Sequence, residues 1–523
     1  MALFALASPA FAQGNPTENP SAEAARIISQ YVKAAGGSHV LSRVRTISLQ
    51  GTIAASGDSP AGSFTLDMKS PNRYYSEIIL GSKRLILAFN GKSAWHLDET
   101  STPATMLGPD SQEMLVEAKI ATLHLRDLKK NALAASFIGH ATVHGKDALQ
   151  VELSSPFGAR RELFFDPQSH LLVEDSGTLE SLADAIFYSA YSPESGMQIP
   201  HHLIIHRGAE TFDVNITAAE VNGVIGERVF DVPLSSQVRL PDLKALFKEI
   251  DEHQKAIDKL RQQYAGAKVE EEVEYGSGDK VKSRKVTESK FFHFDGEEIS
   301  IALKRDGQPL SEAEEKAEND NARKRVAEIR KSHAEEEAKK EKEKAEGKKS
   351  SGGDANGDTG DDDGQVGIET FLRVEEFVNP RRERFRGRDV LVFDFEANPE
   401  YRPRNWIEKI VRTLAGTIWI DEKDLDVVRL EAFFANDAHI LGGLIANIHR
   451  GTAFVFEQEY VNNEVWLPTY DEAYFGVRVL LLMGFRGSDT TRYSDYHKFD
   501  VEAAYPPSAP PAAAAASRSL QPQ

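Results

Sequence analysis

Ser63-Phe-Thr-Leu-Asp-Met-Lys69 decides how the chain is read. Phe64, Leu66 and Met68 alternate with Ser63, Thr65, Asp67 and Lys69. Successive side chains of an extended strand point to opposite faces, so this run predicts a strand with one apolar and one polar face. Sheets with unlike faces and short connections are antiparallel. The alternation recurs at Leu85/Leu87/Phe89, Leu203/Ile205 and Phe212/Val214/Ile216. A helical insertion, roughly 111–130, interrupts the series. Its apolar stripe is Met114, Leu115, Ala118, Ala121, Thr122 and Leu125. A leading helix is predicted over 21–37, where Ile27, Ile28, Tyr31, Val32 and Ala35 share a face and Gly36-Gly37 stops it.

Downstream, 241–264 reads as a second helical stretch connecting two sheet regions, with Leu243, Leu246, Phe247, Ile250, Ile257 and Leu260. Strands resume near Lys268 and break at a charge-dense run, 311–349. There Glu312/Lys316, Glu335/Lys339 and Glu336/Lys340 stand at the i,i+4 spacing that supports an isolated helix. Val326 and Ile329 are its large apolar residues, so this helix is expected to bury little. The Gly/Asp-rich 350–367 segment and the Pro/Ala-rich tail from 503 are expected to be disordered. Strands are predicted again from Phe371 to about Val501, with an amphipathic helix near 405–414.

The chain has 523 residues, and 62 Lys+Arg against 81 Asp+Glu give a net charge of −19. That balance argues against binding duplex nucleic acid, which needs a basic surface to displace counterions. No apolar run approaches the ~18 residues of a membrane-spanning helix. With no cysteine, disulfides, thiolate metal sites, a Cys nucleophile and a lipid-modified cysteine are excluded together. Ala10-Phe-Ala12 after a short apolar run reads as the end of a secretory signal, 1–12, which predicts a periplasmic or secreted protein.

The two sheet regions repeat each other in order. Phe89-Asn-Gly91 matches Phe294-Asp-Gly296, and Gly145-Lys-Asp matches Gly387-Arg-Asp. Leu163-Phe-Phe-Asp166 matches Ile418-Trp-Ile-Asp421, and Tyr191 to Ile199-Pro200 matches Tyr460 to Leu467-Pro468. Duplication is the preferred reading. The expected domains are 21–234, a helical connector 235–264, and 265–502 with an insertion at 306–367.

Together, the leading helix, Gly51-Thr52, Ser70-Pro-Asn-Arg73, Phe89-Asn-Gly91 with Trp95, the Asp166 strand, Tyr191…Ile199-Pro200 and a closing strand ending in Phe230-Asp-Val-Pro233 resemble the LolA/LolB-like lipoprotein-carrier superfamily, in its lipoprotein-sorting form. The resemblance covers about 21–234, with 268–502 as a more divergent second copy. It implies a β-rich α+β fold of two tandem open antiparallel β-barrels capped by amphipathic helices, with a charged helical and disordered insertion in the second. It also implies a non-enzymatic carrier whose concave face holds acyl chains, and an Arg73 that helps tether the lid.

Other constellations carry less. His202 and His206 of His201-His-Leu-Ile-Ile-His206 share a strand face two pleats apart, far for a shared metal without a third ligand. Asp354 to Gln365 lacks the Gly and Glu of a calcium loop at positions 6 and 12. Arg382, Arg384, Arg386 and Arg388 would line one strand face, either paired to acidic segments or as a dock for lipid phosphates. No nucleophile elbow, P-loop, dinucleotide fingerprint or H-E-x-x-H motif occurs.

The expected function is therefore a periplasmic lipid- or lipoprotein-binding carrier or sensor, with no catalytic residue, metal or cofactor. Phe64, Leu66, Met68, Arg73, Phe89, Met114 and Leu115 are the candidate ligand-binding residues. Ile440, Leu441, Leu444 and Ile445, around Gly442-Gly443, are the candidate membrane or cargo contact, read as a rim loop. The alternative is an envelope structural or interaction protein with filled barrels, whose charged helix recruits a protein partner. A hydrolase with a non-obvious site ranks last.

Overall fold

The computed structural model describes residues 20–501, apart from 56–61, 99–101, 123–124, 127, 129–132, 156–158, 180–181, 234–242, 277–280, 346–370, 372, 441–445, 449–451, 480–482 and 500. The alternating run forms β2 (Gly62–Lys69), with Phe64 and Met68 buried and Leu66 partly buried. It pairs antiparallel with β1 (Thr46–Ala55), Leu49 opposite Leu66, and with β3 (Arg73–Leu80), Phe64 opposite Ile78. Such cross-strand apolar pairs fix the register, because a one-residue slip would turn all of them to solvent.

The chain meanders on through β4 (Lys83–Phe89), β5 (Ala94–Leu97) and β6 (Ala104–Thr105). After a helix it resumes with β7 (Ala134–Val143), β8 (Lys146–Ser154), β9 (Arg160–Phe165), β10 (Leu172–Leu179), β11 (Leu182–Glu194), β12 (Met197–Arg207) and β13 (Glu210–Val221). β13 returns to pair with β1, so the sheet order is β6-β5-β4-β3-β2-β1-β13-β12-β11-β10-β9-β8-β7.

The second sheet is laid down the same way. β14 (Tyr264–Tyr275), β15 (Val281–Phe294), β16 (Glu297–Arg305) and β17 (Gln308–Pro309) come first, then a helix. β18 (Glu375–Phe385), β19 (Arg388–Ala397), β20 (Leu414–Asp421), β21 (Val427–Phe434), β24 (Ala453–Val461), β25 (Val465–Val479) and β26 (Met483–Lys498) follow, and β26 pairs with β14. β22 (Ala438–Ile440) and β23 (Ala446–Ile448) form a side hairpin on β25. Among the described residues the outermost strands of neither sheet pair with each other, so both sheets are open.

Six helices cover the sheets among the described residues. α1 (Pro20–Ala34) buries Ala24, Ile27, Ile28, Tyr31 and Val32 in the first core, the face its 3.6-residue periodicity predicts. The turn into α2 (Gly37–Leu41) requires glycine. Gly36 has φ 139°, and a Cβ there would lie 2.8 Å from the Gly196 carbonyl oxygen. α3 (Gly108–Ala121) separates the two halves of the first sheet. α4 (Leu243–Arg261), read from the sequence as a connector, buries Leu246 and Ile250 in the second core beside α6 (Trp406–Val411). α6 is capped by Asn405, whose side chain accepts the Glu408 amide at 2.9 Å.

α5 (Glu312–Ala345) is the charged helix, and it buries more than its composition suggests. Ala322, Val326 and Ile329 recur at helical spacing and pack on Phe292, Ile299 and Ile301 of β15 and β16.

Three expectations are corrected. The insertion helix is 108–121 and is buried on several sides, because Ser111, Glu113 and Glu117 are enclosed along with Met114, Leu115 and Ala118. Phe230-Asp-Val-Pro233 is no strand; Phe230 accepts the Trp95 indole N–H at 2.8 Å, and Val232 packs on the outer face of β4 and β5. Of the segment read as a rim loop, Ile440 pairs with Ala446 between β22 and β23, while Leu441, Leu444 and Ile445 lie outside the described residues. The arginine run does not share one strand face, since a turn at Arg386-Gly387 divides it. Arg382, Arg384, Arg386 and Arg388 pair separately with Glu422, Asp389, Glu457 and Asp421.

Candidate binding cavity and junction

The apolar face of the first sheet and α3 enclose a cavity of about 100 Å³. Phe64, Leu66 and Met68 line it together, as the strand alternation predicts. β12 contributes Met197, Leu203 and Ile205, and α3 contributes Ile120 and Glu117. The tyrosines on the wall are held neutral; burial pushes the Tyr31 phenol up to about 12 and raises those of Tyr188 and Tyr191 well above the ordinary phenol range.

The other candidate residues lie elsewhere. Met114 is buried in the first core. Phe89 and Leu115 line a separate cleft of about 410 Å³ between α3 and the second sheet, opposite Phe433, Phe454, Tyr470 and Tyr474. The Arg429 guanidinium in this cleft is already bound by Glu431 at 2.6 Å and by Glu457. Arg73 pairs with Glu227 in the 3-10 turn after β13.

Arg161 of β9, 1% exposed, meets α3. Its Nε donates to Asp175 Oδ1 at 2.6 Å. Glu117, Asp184 and Glu113 oxygens lie 3.3, 3.4 and 3.8 Å from its guanidinium. Arg207, on the cavity wall, faces Asp184 at 3.5 Å. Sequence reading missed this group because its members come from a helix and four strands. One signal was present: Glu113 and Glu117 stand at i,i+4, a repulsive spacing, inside a stretch otherwise rich in Met, Leu, Val, Ala and Ile. Burial pushes Glu113 up to about 7 and Glu117 to about 8, and raises Asp175.

The junction between the sheets is polar, and its central groups are buried. Asn90 of the β4–β5 turn, 1% exposed, donates to Asp394 of β19 at 2.8 Å. Asp394 also accepts from Asn379, Arg381 and Thr417. Despite its burial, the Arg381 charge and these donors hold its carboxyl below the usual range. Thr105 of β6 bonds both Arg381 and Glu383. The α3 N-terminus is tied to the second sheet by Gly108 N–H donating to Glu431 at 2.9 Å. The histidines of β12 are engaged locally, His202 with Ser189 and Asp213, and His206 with Thr211.

No family model and no curated protein matches the sequence. Among solved structures, a DUF1329 family protein from Desulfovibrio piger is similar with 12% identity and a TM-score of 0.29, over 41% of this chain and 98% of that one. A putative outer membrane lipoprotein-sorting protein domain from Vibrio parahaemolyticus is similar with 7% identity and a TM-score of 0.28, over 40% and 97%. A LolA superfamily protein from Nitrosomonas europaea is similar with 12% identity and a TM-score of 0.28, over 40% and 97%.

Proposed function

We propose that the chain is a non-enzymatic periplasmic protein that binds acyl chains of lipids or lipoproteins in the first sheet. The observation that carries this reading is the convergence of Phe64, Leu66 and Met68 with the facing side chains of β12 and α3 on one apolar cavity. An acyl chain gains ~0.8 kcal/mol per buried methylene on leaving water. Size sets a condition. About 100 Å³ falls short of the ~300–1,000 Å³ of ordinary ligand pockets, so binding requires the lining to give. Met68 and Met197 are adaptable lining residues, and α3 is the cover that must move. The same small volume favours a second reading, in which the sheets are filled and the protein is an interaction partner in the envelope. Ile440, Leu441, Leu444 and Ile445 as a membrane or cargo contact belong to the first reading.

Duplication is part of this proposal, and local chemistry supports it. Each sheet ends in a seven-strand meander that follows a helix and returns to the first strand of its set. Asp166 at the end of β9 accepts the amides of Gln168 and Ser169; Asp421 at the end of β20 accepts those of Lys423 and Asp424. Gly145 and Gly387 both turn with positive φ between the first two strands of the meander. The Phe89 and Phe294 motifs do not coincide, being at the β4–β5 and β15–β16 turns.

Mass spectrometry of material extracted from the native protein tests the reading, with a neutral fluorescent probe of apolar sites as the second arm. Co-purified acyl lipid, and probe binding lost in Leu66→Glu, is the expected result. A wild-type protein that carries no lipid and binds no probe across a range of pH belongs to the filled-sheet reading.

A further inference from the structure

Glu113 and Glu117 lie on α3, and the other members of the Arg161 group lie on the sheet. Arg161 comes from β9, Asp175 from β10, Asp184 from β11 and Arg207 from β12. The phenols of Tyr74 on β3, Tyr188 on β11 and Tyr31 on α1 face the same carboxylates. Among the described residues no other charged side chain bonds the four, and the Arg160 backbone N–H donates to Glu113 at 2.9 Å. One oxygen of each carboxyl is buried without a hydrogen bond: Glu113 Oε2, Glu117 Oε2, Asp175 Oδ2 and Asp184 Oδ1.

Charge counting gives the consequence. Four carboxylates against two guanidinium groups leave two uncompensated negative charges in a buried site, and two bound protons cancel them. A buried unbalanced charge is expensive, and moving Glu113 and Glu117 into water is the direct way to relieve it. The opposite face of the same helix, through Ser111, Gln112 and Leu115, forms a wall of the junction cleft. Movement of α3 therefore opens both spaces. At the matched positions of the second sheet the charges are replaced. Counting back from Asp166 and Asp421, the position of Arg161 is Gly416, and Leu430 takes the place of Asp175 opposite the matched strand.

We propose that the Glu113–Glu117–Asp175–Asp184 group around Arg161 is a proton-operated latch, which seats α3 over the cavity when protons are bound and releases it when they leave. Only the identity of what then enters, an acyl chain, rests on the function proposed above. The direction follows from linkage. Burial raises Glu113 to about 7 and Glu117 to about 8, so the seated state holds protons that the lifted state gives up. Seating is fully favoured below the ordinary carboxylate range and is lost as pH rises through about 7 to 8. A ligand that needs α3 lifted binds better in mild alkali than in acid.

Hydrogen exchange of amides 108–121 in the whole chain, at about pH 6 and about pH 9 and corrected for the intrinsic rate, reads the latch without any ligand. Wild-type protection in α3 is expected to fall about tenfold or more across that range, and in Glu113→Gln/Glu117→Gln it is expected to stay pH-independent. Glu117→Gln alone, which keeps one titrating group, is expected to give an intermediate loss and serves if the double variant fails to fold. Equal α3 protection at both pH values in wild type overturns the latch. So does a pH-dependent loss that survives unchanged in the glutamine variants. The neutral apolar probe is measured in parallel. Probe binding that rises with pH in step with α3 exchange supports the latch. If α3 loosens and no probe binds, the latch stands and the acyl-chain reading fails.

Discussion

Arg161 is enclosed by acidic groups, so its removal is more than the loss of one ion pair. Arg161→Met would leave Asp175 and its neighbours buried against an uncharged side chain. Breaking a buried pair in this way costs ~3–5 kcal/mol. At neutral pH the unfolding free energy read from denaturant titration should fall by an amount of that order. The loss should shrink as the solution is acidified, because protonated carboxyls no longer need the cation. A pH-independent loss would mean that Arg161 acts through its packing alone. At Arg73, the exposed pairing with Glu227 predicts the reverse, a small effect at any pH.

At the scale of elements, α5 carries a testable asymmetry. Its composition is that of a solvated helix, yet Ala322, Val326 and Ile329 fall three and four residues apart and bury 1–4% exposed side chains on β15 and β16. Ile329→Ala should cost ~2–5 kcal/mol, the range for a buried large-to-small change, read from the thermal or denaturant midpoint of the second sheet. A neutral result would return the helix to its sequence-based description as an arm that buries little. The same three residues argue that removing the whole charged segment would uncover Phe292, Ile299 and Ile301.

Over the whole molecule, the two sheets meet through a network that neither could complete alone. Asn90 and Asp394 are 304 residues apart and share a buried hydrogen bond. Asn90→Asp keeps the Oδ1 acceptor used by the Lys92 and Ser93 amides and sets a second carboxylate against Asp394. Like charges at that distance in a buried site should separate the halves. Wild type is expected to unfold in one calorimetric transition and the variant in two. Two transitions in wild type would show that the junction does not couple the sheets. The preserved order of both sheets suggests that each half keeps its own topology once uncoupled.

The local patterns were readable residue by residue. Period-two alternation at 63–69 gave a strand with Phe64 and Met68 inward, and the 3.6-residue spacing of Ile27, Ile28, Tyr31 and Val32 gave the buried face of α1. Asp166 and Asp421 marked equivalent turns because an Asx turn needs only the two or three residues that follow it. These features are written in neighbours along the chain. The latch and the junction are not. Glu113, Arg161, Asp175, Asp184 and Arg207 look like five more charges in a chain that is 27% charged. What makes them a site is that three-dimensional packing removes most of their water at one point, and desolvation belongs to the assembled fold alone. The same reason separates Arg73 from Arg161. The resemblance pointed to Arg73 in the early strands, whereas the packing of β9 beneath α3 brings Arg161 to that helix.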